Sequence, residues 1–197
     1  MQGKKNKKFR SIIHQYEVNF GFRQPFNVLI DGNFLNSAKK IDLDLDKKIH
    51  KIYKAKTILC TTRCVKEELR KLGMNCSAAF NHACTMKTLR CSHATIVEPS
   101  MCISSHIGKL NPGYLSVATQ DEKLQQELMS IGKVPVIRFV NNNVLDVMPM
   151  SSTTQALIQK ADMKKYLPTD EEMKAVKEAK KEEKEARRKK LIEEIRK

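Results

Sequence analysis

The sequence predicts a three-layer α/β domain on a mostly parallel sheet, with charged extensions at both ends. Two observations carry that expectation. Short apolar runs near residues 26–30, 56–60, 114–118 and 134–140 alternate with stretches of helical periodicity. Two of those runs lead into an acid, Asp31 and Asp121, which places both carboxylates at the carboxyl ends of strands. In open parallel sheets that is the edge where ligands bind. A length of 197 residues suits one compact domain plus extensions.

The elements follow in order. Within residues 1–25, Ile12, Ile13, Tyr16 and Phe20 recur at near-helical spacing, so part of this basic arm is expected to dock an apolar stripe; Pro25 stops it. Phe26–Ile30 reads as a buried strand ending in Asp31-Gly-Asn. A helix is expected over 34–40, continuing amphipathically to about Tyr53, and a second strand over 56–60. Thr61-Thr62 offers an N-cap for a helix over 63–72 that Gly73 closes; Cys64 and Glu68 share one of its faces. Residues 78–90 read as a helix, 91–100 as a loop and 101–107 as a short helix. Asn111-Pro112-Gly113 is a turn before a third strand, 114–118. Glu122–Ile131 is a helix stopped by Gly132, 134–140 a fourth strand, 141–143 a turn and 144–148 an edge strand. Residues 151–162 are polar, and 170–197 form a charged helix expected to project from the body.

The formal charge is +15, unevenly distributed. Residues 1–25 hold six Lys/Arg (Lys4, Lys5, Lys7, Lys8, Arg10, Arg23) against Glu17 alone. From Lys160 onward there are fourteen basic and ten acidic residues. Such a balance points to a polyanionic partner, nucleic acid first, whose binding should weaken steeply with salt. No apolar run approaches a membrane span, and no signal-peptide core follows the basic start, so a membrane partner is not expected. The six cysteines are therefore expected in a reducing compartment, where metal binding gains weight over disulfides.

Two constellations carry chemistry. Cys91-Ser-His93 with Cys102 supplies three ligands of a zinc site, and Cys64 or Cys84 could supply the fourth. The competing reading is that these are ordinary half-buried residues of a reduced protein. Asp31, Glu68 and Asp121 form an acidic set of the kind that holds magnesium or manganese for phosphodiester cleavage, or else are separate turn and surface acids.

Several separated motifs over residues 1–150 carry a family resemblance. An early strand ends in Asp31; Cys60-Thr-Thr-Arg-Cys64-Val-Lys-Glu-Glu68-Leu, the Cys91-x-His93…Cys102 set, Val117-Ala-Thr-Gln-Asp121 and Gly132-Lys-Val-Pro-Val follow. Together they resemble the PIN-domain proteins of the small-subunit processome, with a Rossmann-like, three-layer domain. The resemblance implies a basic arm (1–25), a PIN-like domain with an embedded zinc site (26–150), and a linker and charged helix (151–197). It implies a structural Zn2+ on Cys64, Cys91, His93 and Cys102, with Cys84 as the alternative first ligand. It also implies a factor of the nucleus and nucleolus that binds pre-rRNA and snoRNA in early pre-rRNA processing. Other processome proteins would be met through the C-terminal helix.

The pattern is broken at one place. Where Fcf-one-like sequences read Asp-Asp-Cys, this chain reads Ser100-Met101-Cys102, and neither a hydroxyl nor a thioether suits a hard cation. The expectation is a degenerate nuclease site without Mg2+ or Mn2+, hence a non-catalytic RNA-binding factor; the alternative is an active metal-dependent PIN endonuclease. Lys4, Lys5, Lys7, Lys8 and Arg10 on the arm, with Lys87 and Arg90 beside the metal loop, are the expected RNA contacts. No aromatic-rich surface for single strands is apparent, so structured RNA read by shape is expected.

Overall fold

The computed structural model describes residues 2–141, 144–166 and 170–195, with side chains over 7–141, 144–163, 171–188 and at 192. Of the expected turn at 141–143, Asn142 and Asn143 lie outside the described residues.

Helix α1 (Gln2–Phe20) opens the chain and buries Phe9, Ile12, Ile13 and Tyr16. Phe9 meets Tyr53 edge-on at 5.3 Å, and Tyr16 meets Phe22 at 5.5 Å, so the basic segment is packed against the body along this stripe. One compact unit runs through Leu157, and a second covers Ile158–Lys197.

The first unit is built on six strands: β1 (Phe26–Ile30), β2 (Thr57–Thr62), β3 (Lys87–Leu89), β4 (Leu115–Ala118), β5 (Val136–Val140) and β6 (Val144–Val147). Their spatial order is β3-β2-β1-β4-β5-β6. All pairs are parallel except β5 with β6, whose short connection allows only an antiparallel return. Val28, Leu29, Ile30, Val117 and Ala118 are fully buried, as central parallel strands require. Each such aliphatic side chain contributes about 1.5–3 kcal/mol on burial. Phe34 stacks on Phe139 at 4.5 Å and ties a helix to the sheet.

Crossovers come from α2 (Gly32–Lys40), α3 (Leu45–Tyr53), α4 (Arg63–Lys71), α5 (Ser77–Thr85), α6 (Pro99–Ile107) and α7 (Glu122–Ile131). Their starts are set by side-chain caps: Asp31 accepts from Gly32 N, Asp44 from Lys47 N, Thr62 from Val65 N and Asp121 from Lys123 N. Gly132 ends α7 at φ +76°, and a Cβ there would sit 3.0 Å from Thr153 Cγ2.

Three expectations are corrected. The helix expected over 78–90 stops at Thr85, and Lys87–Leu89 adds a strand beside β2. The continuous helix to Tyr53 is broken at 41–44, where Asp42 takes φ +49° and Asp44 caps a new helix. The helix expected from 101 starts two residues earlier, at Pro99.

Residues 152–166 form α8 (Ser152–Tyr166), and α9 (Asp170–Ile195) follows. Every described side chain of α9 is exposed. No helix among the described residues is long and apolar enough to cross a membrane.

Candidate metal centre and acidic pocket

Four side chains from separate segments meet at one point. Cys64 comes from the first turn of α4, Cys91 and His93 from the loop after β3, and Cys102 from α6. Their ligand atoms lie within 4.8 Å of one another. His93 Nε2 is 3.2 Å from Cys102 Sγ and 3.5 Å from Cys64 Sγ, and the Cys91 and Cys102 sulfurs are 3.6 Å apart. A tetrahedron with metal–sulfur bonds of about 2.3 Å has edges of about 3.7 Å, so a single ion fits. Cys84, the alternative first ligand, is exposed and does not join the group.

The surroundings suit ligation. His93 Nδ1 lies 2.6 Å from the Thr95 carbonyl oxygen, a bond that needs the proton on Nδ1 and leaves Nε2 free to ligate. Arg63 donates to the His93 and Ala94 carbonyls at 3.4 and 2.9 Å and holds the loop against α4. Burial pushes the Cys102 thiol up to about 12, and the Cys91 and Cys64 thiols add to the rise. A bound cation reverses that balance by stabilising thiolates. The donor set is soft, which fits zinc and not a hard ion.

The acids occupy the neighbouring rim. Asp31 follows β1 and Asp121 follows β4, two adjacent strands whose crossovers run in opposite directions. Both caps use these carboxylates: Asp31 Oδ1 accepts from Gly32 N at 2.8 Å and Oδ2 from Thr119 Oγ1 at 2.9 Å, while Asp121 Oδ1 accepts from Lys123 N. Burial raises the Asp31 carboxyl; the Thr119 and Gly32 hydrogen bonds oppose this, and the Asp121 charge adds to it. Glu68, half-buried on α4, is raised by burial and by the charges of Asp31 and Glu98. Its Oε2 lies 3.0 Å from where a Cβ on Gly32 would stand, so glycine permits the α2–α4 approach here. Among the described residues, however, only the Cys/His group brings three or more ligand atoms close enough to hold an ion.

Glu98 escaped the sequence reading. It precedes α6 at the N-cap position and borders a ≈ 350 Å³ hollow with Glu68, Lys71, Leu72, Ile96 and Pro99. Its signal was the Pro99 that follows, since proline at a first helical position marks the preceding residue as a cap. Of the expected RNA contacts, Lys7 and Lys8 are exposed on α1 and Arg10 is half-buried; Lys4 and Lys5 lie in α1, but their side chains are outside the described ones. Lys87 on β3 and Arg90 after it are exposed.

A mostly parallel sheet with helices on its faces and acids at its switch point is the architecture of a doubly wound α/β domain, the class to which PIN domains belong. The Fcf1 family model matches residues 51–149. The chain is 30% identical to rRNA-processing protein utp23 of Schizosaccharomyces pombe over 78% of this chain and 60% of that protein. It is also 30% identical to rRNA-processing protein fcf1 of the same yeast, over 66% of this chain and 67% of that one. A solved structure of the PIN domain endonuclease Utp24 matches with a TM-score of 0.59 at 29% identity, covering 66% of this chain and 97% of that one. The chain belongs to the Fcf1 family.

Proposed function

We propose that this protein is a non-catalytic RNA-binding factor in rRNA processing, acting on early pre-rRNA with snoRNA in the nucleolus. The observation that supports the non-catalytic part is the missing acid at the start of α6. Asp31 and Asp121 are engaged as helix caps, and the α6 start offers Ser100-Met101 where a fourth acid would serve. A two-metal clamp needs oxygens converging on ions about 4 Å apart, and among the described residues Asp31, Glu68 and Asp121 do not form a group of three close ligand atoms. Relatives with rRNA-processing names support the pathway, and the charge of +15 supports a polyanionic partner.

In this reading Cys64, Cys91, His93 and Cys102 would hold one zinc ion as a structural tie that fixes the 91–98 loop against α4. The charged surface of α9 is the contact for other processome proteins.

The deciding experiment is a manganese-dependent cleavage assay on single-stranded RNA, run beside the Asp31→Asn variant. No metal-dependent cleavage by the native chain is expected; cleavage abolished by Asp31→Asn makes the protein a nuclease. One observation favours that second reading: Glu98 stands close enough to raise Glu68 and could replace the missing acid from two residues upstream of Ser100. Cleavage lost also in Glu98→Gln would identify it as that substitute.

A further inference from the structure

We propose that the amino edge of the sheet, opposite the acidic pocket, is a binding face for single-stranded RNA. In this arrangement the Tyr114 ring is the platform on which an unpaired base stacks. The inference rests on the RNA-binding reading above, gives it a place, and replaces the expected shape reading of structured RNA with an unpaired strand.

The first observation is a row of cations. The strands β2, β1, β4 and β5 are neighbours, with Phe26 opposite Thr57, Asn27 opposite Leu115 and Val117 opposite Val136. The segments that lead into them, 54–56, 21–25, 108–114 and 132–135, contain Lys54, Lys56, Arg23, Lys109 and Lys133 and no acid. Four of these side chains are exposed, and Lys133 is half-exposed. At about 4.8 Å between strands the row spans roughly 15 Å. Glu17 on α1 lies 3.3 Å from His14, and Asp146 faces Arg138 across the β5–β6 pair. A phosphate chain laid here meets positive charge throughout.

The second observation is Tyr114. It is 50% exposed, and its backbone sits at φ +48°, a conformation that costs a bulky residue free energy and persists only when the surroundings enforce it. Asn111 supplies that enforcement. Fully enclosed, it donates to the Leu115 and Lys133 carbonyls and accepts from Leu115 N, each at 2.9 Å. The ring rests edge-on against Phe22 at 5.8 Å. It forms a shared wall of two hollows, ≈ 360 Å³ with Arg23 and Asn27, and ≈ 390 Å³ with Leu110 and Lys133. An aromatic face with space beside it and cations within the same hollows is the arrangement that stacks a base while its phosphates are neutralised. A duplex keeps its bases paired and offers no face to that ring, which selects an unpaired strand.

The test measures binding of the full chain to a labelled single-stranded oligouridine and to a blunt RNA duplex of equal length, over a salt series. Tyr114→Gly removes the ring at a position whose backbone glycine accepts freely, so folding survives; thermal unfolding checks it. It is expected to weaken single-strand binding about tenfold while sparing the duplex, with Tyr114→Phe retaining the native affinity. Arg23→Glu with Lys133→Glu is expected to lower the salt slope by about 1.4, two contacts' worth for a single strand. Native RNA binding that is indifferent to Tyr114→Gly overturns this inference alone. Equal losses on both probes overturn it as well, since the ring then plays no part in selecting an unpaired strand. Failure of the native chain to bind either probe overturns both this inference and the RNA-binding reading.

Discussion

The two edges of one sheet present opposite chemistry. At the carboxyl edge stand Asp31 and Asp121, with Glu68 and the soft-ligand cluster alongside; at the amino edge stand five cations, no acid and an exposed tyrosine. A nuclease must bring its polyanionic substrate to carboxylates, and it overcomes the repulsion with divalent ions. Here the acids stand near enough for their charges to act on one another, while the proposed RNA-attracting surface lies at the far ends of the same strands. On the proposed reading, the difference would separate what the PIN architecture keeps, its shape and a cluster able to tie a loop through a metal, from the face that holds RNA.

The largest expected effect is at the metal tie. Cys102→Ser should abolish stoichiometric metal, which elemental analysis of the native protein is expected to give as about one zinc per chain. The loss resembles removal of a crosslink of similar span, about 3 kcal/mol, or a drop in Tm of roughly 6–12 °C. Cys84→Ser should change neither quantity, because that thiol is exposed and outside the cluster. Metal retained by Cys102→Ser and lost in Cys84→Ser would reassign the ligand set.

Next comes the anchor of the other edge. Asn111→Ala removes three hydrogen bonds, to the Leu115 and Lys133 carbonyls and from the Leu115 amide, at a cost of about 2–3 kcal/mol. Chemical denaturation should register that loss, together with weaker single-strand binding as Tyr114 loses its enforced position. Full stability in Asn111→Ala would mean that the loop is held by something else.

Smaller, and of opposite sign, is the expected effect of Asp31→Asn. Burial holds the Asp31 carboxyl above its ordinary value, so folding favours the protonated form. That contribution is complete below the ordinary carboxylate range and is lost as pH rises through the raised value. At neutral pH the buried charge is therefore a burden. Asparagine should stabilise by about 1 kcal/mol there and flatten the pH dependence of unfolding across that window. Destabilisation by Asp31→Asn that appears only with manganese present would show an ion held at this rim and would blur the contrast between the edges.

How far the sequence disclosed these edges follows from how local each signal is. The buried strands, the cap at Thr62, the stop at Gly132 and the Cys91-Ser-His93…Cys102 set each announce themselves within a few positions, whereas Cys64, distant in sequence, is preferred to Cys84 only through the family resemblance. Strand β3 did not, because Lys87-Thr-Leu89 has no apolar run and its pairing with β2 supplies what propensity lacks. Glu98 was missed because its neighbour Glu68 is thirty residues away in sequence. The amino-edge row is the least legible feature. Arg23, Lys109 and Lys133 are single cations and Lys54 and Lys56 a pair, in four separate turns, and only the strand order brings them together.

The finest test of the contrast is Tyr114→Asn. Asparagine enters the left-handed region at little cost, so the substitution relieves backbone strain of order 1 kcal/mol and forfeits part of the contact with Phe22. The net expectation is a stabilisation of about 0.5 kcal/mol by thermal unfolding, accompanied by weaker single-strand RNA binding. Both edges would then hold a group that costs folding energy, a buried carboxylate at one and a strained aromatic at the other. Only the aromatic should repay its cost in RNA affinity. If Tyr114→Asn instead destabilises by more than about 1 kcal/mol, the ring is a packing element and the amino edge loses its platform.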